Sequence, residues 1–259
     1  MTGRNDDQAK SLSLLLRALK LPTFEMLHEE TALAAEKQGW GFARYLRHLS
    51  EAELATRDVN RVERMLKASQ LPRSKTLDTL DLERLPAKVR RQIPTLCEGG
   101  FVGRAENVLV FGLPGRGKTH LVCAIGRELV NRGRTVLFVP TFKLVQRLLV
   151  AKRQLTLEAE LRKLDRYDAV ILDDIGYVQQ DREEMEVLFT FLGERYERRS
   201  VLITSNLVFS QWDRIFKDPM TTAAAIDRLV HHATIFELTS KRSVRAEEAE
   251  KNHGAMNRA

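Results

Sequence analysis

The eight residues Gly112-Leu113-Pro114-Gly115-Arg116-Gly117-Lys118-Thr119, entered from the apolar run Val108-Leu109-Val110-Phe111, constrain this 259-residue chain more than any other stretch. Glycines at this spacing let the backbone fold back so that successive N–H groups point at phosphate oxygens, and a following helix turns its positive end on the same anion. A helical pattern does follow, with Leu121, Ala124, Ile125 and Leu129 on one face. Lys118 then reaches the β- and γ-phosphates, and the Thr119 hydroxyl ligates Mg²⁺. Gly112, Pro114, Gly115, Arg116, Gly117 and His120 complete the cradle. The strand-turn-helix context separates it from a glycine-rich turn with a stray lysine, and a nucleoside triphosphate is the expected ligand.

From Phe101 onward strands and helices alternate. Strands are expected at 107–111, 135–139, 169–172, 201–204 and 235–238, with helices after Thr119, from Thr141 to about 149, and near 183–196. Near-continuous apolar strands alternating with helices imply a parallel sheet covered on both faces, with ligand at the strands' carboxyl ends. The strand Ala169-Val170-Ile171-Leu172 ends in Asp173 and Asp174. Asp173 suits Mg²⁺ through its waters, and Asp174 suits the attacking water; the competing reading is a turn or helix-cap pair, since Gly176 follows. Asn206, after Leu202-Ile203-Thr204-Ser205, can hydrogen-bond the γ-phosphate or the water, or simply begin a turn. Arg228 has a planar fork that suits a γ-phosphate supplied by a neighbouring copy; the alternative is a surface arginine on an exposed helix.

The first 70 residues are expected to form a helical domain. Leu12, Leu15, Leu16 and Leu19, then Phe42, Tyr45, Leu46 and Leu49, recur at helical spacing. Ser50-Glu51-Ala52-Glu53 matches a capping box, which predicts a new helix from Ser50 to about Ala68 with Val59, Val62 and Leu66 buried. Prolines at 72, 86 and 94 break the pattern into a connector over 71–100, Gly99-Gly100 opens the second domain over 101–245, and 246–259 is a polar tail. No apolar run approaches the ~20 residues that span a bilayer, which places the chain in the cytoplasm. Cys97 and Cys123 lack metal-ligand spacing and are expected to be small core residues. The net charge of +7 favours a polyanionic partner without identifying one.

Together, Asn107-Val-Leu-Val-Phe-Gly, Gly-Lys-Thr-His at 117–120, Ile171-Leu-Asp-Asp-Ile-Gly, Ile203-Thr-Ser-Asn, Trp212, Asp218-Pro219 and Asp227-Arg228-Leu229 resemble the IstB branch of AAA+ ATPases. Members of that branch are helper proteins of insertion-sequence transposons, related to the helicase loader DnaC and the initiator DnaA. The segment Trp40-Gly-Phe-Ala-Arg-Tyr-Leu extends the resemblance to the helical domain. It implies a P-loop NTPase of AAA+ type with ATP and Mg²⁺ as cofactors. Lys118 and Thr119 become Walker A ligands, Asp173 and Asp174 the Walker B pair, Asn206 the first sensor, Arg228 the arginine finger and Arg245 the second sensor. Valine at 244 replaces the tyrosine relatives carry before that arginine. Too few residues follow Arg245 for a C-terminal helical lid, so the cover over the nucleotide is expected from the N-terminal domain or a neighbouring subunit.

The resemblance also implies ATP-driven homo-oligomers on duplex DNA, with ATP at subunit interfaces and a cognate transposase as partner. Two basic stripes are candidates for mainly backbone contacts to DNA: Arg57, Arg61 and Arg64, and Lys143, Arg147, Lys152 and Arg153. A solvated charged face explains either equally well, and Glu53 stands one turn before Arg57. The competing functions are a DnaC-like loader of a replicative helicase and a DNA-bending scaffold that binds ATP with little turnover. A small-molecule P-loop kinase fits less well, because Asn206 and Arg228 would then have no role.

Overall fold

The computed structural model describes residues 11–177, 182–216 and 218–239. They fall into two compact units that divide between Arg64 and Met65, so residues 71–100 belong to the second unit. Arg245 and the tail over 246–259 lie outside the described residues, as does the stretch where a lid would follow.

The first unit is helical: α1 over 11–18, α2 over Pro22–Gln38, and the first part of α3 (Phe42–Ala68). Pro22 fits the first turn of α2, where its missing N–H costs nothing, and Gly39 ends it in the left-handed conformation with φ 64°. The expected helix start at Ser50 is overturned. Ser50 lies inside α3, and its hydroxyl donates to the Leu46 carbonyl at 2.8 Å instead of capping a new helix. The expected apolar stripes are also only partly covered. Leu16 and Leu49 are buried, while Leu12, Leu15, Leu19, Phe42, Leu46 and Val59 are exposed.

The second unit runs through α4 (Ala87–Glu98), α5 (Gly100–Gly103), β1 (Asn107–Phe111), α6 (Lys118–Asn131), β2 (Val136–Pro140), α7 (Thr141–Arg153) and α8 (Leu157–Leu164). There follow β3 (Ala169–Asp173), α9 (Arg182–Arg195), β4 (Ser200–Ser205), α10 (Asp213–Phe216), α11 (Pro219–Val230) and β5 (Ala233–Glu237). Pro94 does not break the chain as expected: it lies within α4, which continues through it. The five strands form one parallel sheet in the order β2-β3-β4-β1-β5.

Alternation along the strands sorts the core into two layers. Leu109, Phe111, Leu137, Val139, Val170, Leu172, Val201 and Ile203 pack with residues of α7, α9, α10 and α11 in one apolar cluster. Ile171 points to the opposite face, where α6 comes so close that a Cβ on Gly126 would stand 2.6 Å from the Ile171 Cδ1. With β4 central and β3 and β1 on either side of it, the carboxyl ends of these three strands lie at one edge. No helix among the described residues is long and apolar enough to cross a membrane. Cys97 and Cys123 are buried and unpaired, and burial pushes their thiols up to about 11 and about 12, away from reactivity.

Candidate nucleotide-binding site

The loop after β1 has the backbone that its glycines permit. Gly115 and Gly117 adopt φ 76° and 85°, and Gly117 caps the first turn of α6. Lys118, the first residue of that helix, is 5% exposed, and its Nζ donates to the carbonyls of Gly112 at 2.7 Å and Leu113 at 3.2 Å. The ammonium is thus folded across the loop, held by neutral acceptors that a phosphate oxygen outcompetes in strength. The Arg116 Nη1 is buried with no hydrogen-bond partner among the described residues, an orphan donor that an anion in the loop would satisfy. His120 faces the segment before β1. Its Nε2 stands 3.0 Å from the Thr76 carbonyl and 3.1 Å from the Thr79 hydroxyl, which ties that segment to α6.

At the ends of β3 and β4 the two aspartates are arranged by a residue that sequence patterning does not single out. The Thr204 hydroxyl donates to Asp173 Oδ1 at 2.7 Å and accepts the Asp174 N–H at 2.8 Å. Thr141 adds a bond to the Asp173 carbonyl at 2.9 Å. Asp174 sits in the left-handed region at φ 55°, a conformation in which aspartate and asparagine are over-represented. Thr204 holds that turn shut and leaves Asp173 Oδ2 without a protein partner among the described residues. Thr119 hydroxyl and Asp173 carboxylate are the hard oxygen donors that Mg²⁺ takes, so the donor set fits that ion.

Asn206 follows directly. Its Oδ1 is buried without a hydrogen-bond partner among the described residues, pressed against Gly176, where a Cβ would stand 2.2 Å away. The turn that carries it is fixed by Ser205, whose hydroxyl donates to the Leu207 carbonyl at 2.7 Å, and by the wholly buried Trp212, whose Nε1 donates to the same carbonyl at 3.2 Å. Trp212 is therefore a packing residue, in a ring cluster with Phe111, Phe209 and Phe216.

Arg228 stands apart from these contacts, on α11, with its guanidinium over the Phe189 ring of α9 at 4.4 Å from the centroid. The basic stripes are mostly engaged inside the chain. Arg57 donates to Glu53 at 2.7 Å and to the Lys20 carbonyl at 2.6 Å, while Glu53 also accepts the Thr23 N–H at 2.9 Å. Burial alone would raise the Glu53 carboxyl, but the bonds from Arg57 and Thr23 outweigh it and hold it below the usual range. Arg61 pairs with Asp58 at 3.3 Å, and the Arg64 Nε donates to the Asn60 carbonyl at 3.1 Å. In the second stripe Arg147 pairs with Glu160, Lys152 with Glu186 at 2.9 Å and Arg153 with Glu183 at 3.9 Å, which leaves Lys143 as its one unpaired cation among the described residues.

Comparison with known proteins agrees with this geometry. The family profile described as IstB-like ATP binding protein matches residues 14–252. An insertion sequence ATP-binding protein of Sinorhizobium fredii is 45% identical over 251 residues, covering 96% of this chain and 84% of that one. The insertion sequence IS21 ATP-binding protein of Pseudomonas aeruginosa is 36% identical over 227 residues, covering 88% and 86%. Among solved structures, AMPPCP-bound DnaA from Aquifex aeolicus shares the fold with a TM-score of 0.56 at 18% identity, over 73% of this chain and 57% of that one. A phosphate-cradling loop after β1, beside the central strand β4 of a five-stranded parallel sheet, with the relatives' identity extending almost end to end, makes this chain a member of the IstB-like ATP-binding family with an AAA+ P-loop fold.

Proposed function

We propose that the chain is a regulatory ATPase of insertion-sequence transposition: ATP drives its self-assembly on target DNA, the assembly recruits or stimulates the partner transposase, and hydrolysis releases it. The observation that carries this reading is the Thr204-clamped Asp173-Asp174 turn lying at the same sheet edge as the Lys118 loop. A protein that only needed to hold nucleotide would have no use for a carboxylate kept in a left-handed turn beside the phosphates. The relatives' insertion-sequence names support transposition over helicase loading.

In this mechanism Lys118 exchanges the Gly112 and Leu113 carbonyls for β- and γ-phosphate oxygens, and the loop N–H groups and Arg116 take the remaining charge. Thr119 and Asp173 would hold Mg²⁺, which when bound neutralises charge on the phosphates. Asp174 orients the attacking water and accepts its proton, Asn206 fixes that water or the γ-phosphate, and Arg228 of a neighbouring copy stabilises the charge on the transferred group. Once phosphate leaves, that arginine has lost its partner and the interface loosens. DNA contact is through phosphates. Exposed ion pairs such as Lys152 with Glu186 stabilise by only about 0–1 kcal/mol and give way readily to a backbone phosphate.

The test is size measurement by light scattering with ADP or a non-hydrolysed ATP analogue, with and without duplex DNA. A large complex is expected only with the analogue, increasing with duplex; one size in all four conditions would refute assembly control. The Thr204→Val variant keeps the strand's shape but releases both aspartates. It is expected to bind nucleotide normally and to lose about tenfold in phosphate release, measured against fluorescent-nucleotide affinity on the same sample.

A further inference from the structure

Arg195 of α9 and Arg228, which reaches α9 from α11, are held in opposite ways. Arg195 is 2% exposed, and its two terminal nitrogens donate to the carbonyls of Leu164, Tyr167 and Ser200, so both are engaged inside the fold. Arg228, reaching over from α11, is held by shape. One face of its guanidinium lies 4.4 Å from the Phe189 centroid, and its Nη1 occupies the space where Gly193 would carry a Cβ, at 2.9 Å. Phe189 and Gly193 are four residues apart on one helix, hence on one face. No acceptor among the described residues takes any of the Arg228 N–H groups. A half-buried guanidinium with its plane fixed and its donors unspent is prepared for a ligand outside its own chain.

Glycine is the poorest helix former after proline, and α9 places one inside its last turn. The space it leaves is filled by the Arg228 fork. We propose that Phe189 and Gly193 are positioning residues that form a shelf for Arg228, setting the direction in which its fork meets the γ-phosphate held by a neighbouring copy. The inference rests on the reading of Arg228 as a residue acting in trans. The shelf restrains the guanidinium by contact with its flat face and leaves the N–H edge free for paired bonds to phosphate oxygens.

The Gly193→Ala variant separates this from a packing role, because the atom its methyl meets is the end of a flexible side chain. The helix is expected to hold or gain stability while the fork is displaced. Phosphate release is measured across protein concentration with saturating duplex DNA, alongside fluorescent-nucleotide affinity and thermal unfolding, for Gly193→Ala, Phe189→Leu, Phe189→Tyr and Arg228→Ala. Gly193→Ala is expected to keep its melting temperature, nucleotide affinity and KM while kcat falls about a hundredfold, the cost of an ångström-scale misplacement. Phe189→Leu is expected to lose about threefold in kcat, and Phe189→Tyr, which keeps the ring face, to stay near wild type. Mixing Gly193→Ala with Asp174→Asn protein is expected to restore turnover, since Asp174→Asn copies present a well-placed arginine to intact pockets. Wild-type kcat for Gly193→Ala beside a loss of about a thousandfold for Arg228→Ala would overturn the shelf alone. Wild-type kcat for Arg228→Ala would overturn the trans arginine and the shelf together. If Gly193→Ala melts early, the Phe189 pair decides: equal kcat for leucine and tyrosine overturns the proposal.

Discussion

The Lys118→Ala variant is expected to remain folded and to lose ATP affinity by about a hundredfold or more, the cost of removing one partner from a buried charged contact. Lys118 is among the few buried cations of the described residues of the second unit, and its Nζ donates to two carbonyls of its own loop. Removing the side chain takes away the charge proposed to face the β- and γ-phosphates and leaves the core layers intact. Thermal unfolding reads both effects on one sample. Ligand at a hundred times its Kd stabilises the folded state by about 2.7 kcal/mol, so wild type should melt higher with ATP while Lys118→Ala should not respond. An unchanged ATP-induced shift in the variant would remove Lys118 from the site and with it the basis for placing a triphosphate there.

That loop was legible because its chemistry is local. Eight consecutive residues set the turn, the helix cap and the lysine, and the five apolar strands lie within about two residues of where their runs predict them. What the pattern does not carry is who faces whom. The order β2-β3-β4-β1-β5 brings Thr204 beside Asp173, and nothing in the run Leu202-Ile203-Thr204 distinguishes that threonine from any polar residue ending a strand. Periodicity identified an apolar face on α1 and α3 but not what covers it, so Leu12, Phe42 and Val59 lie exposed. The serine of a capping-box pattern can equally bond backwards inside a helix, as Ser50 does.

The basic stripes teach the same lesson in charge. Lys143, Arg147, Lys152 and Arg153 all lie on α7, yet Glu160 of α8 and Glu183 and Glu186 of α9 neutralise three of the four. Around Glu160, burial favours the neutral acid, and the bonds from Lys163 and Arg147 overcome it and keep the carboxyl below its ordinary range. A one-dimensional count of positive charges overstates what a polyanion would meet there, because the compensating acids come from other elements.

Asp174→Asn is the second large effect, and the backbone makes it a clean one. At φ 55° the residue occupies a region that asparagine enters as readily as aspartate, so the turn, and the N–H donated to Thr204 at 2.8 Å, should survive the exchange. The exchange removes the charge and the proposed proton acceptor. Nucleotide affinity is expected to be unchanged or tighter, since a negative group leaves the neighbourhood of the phosphates, while phosphate release falls on the order of a thousandfold. The complex formed with ATP and duplex DNA should then persist instead of dissolving, because loading is retained and release is not. Asp174→Ala serves as the contrast: alanine in the left-handed region costs about 1–2 kcal/mol, so it should melt lower as well as turn over slowly. Phosphate release at the wild-type rate from Asp174→Asn, with DNA binding intact, would take the catalytic role away from this carboxylate and leave a nucleotide-binding scaffold as the better account of the fold.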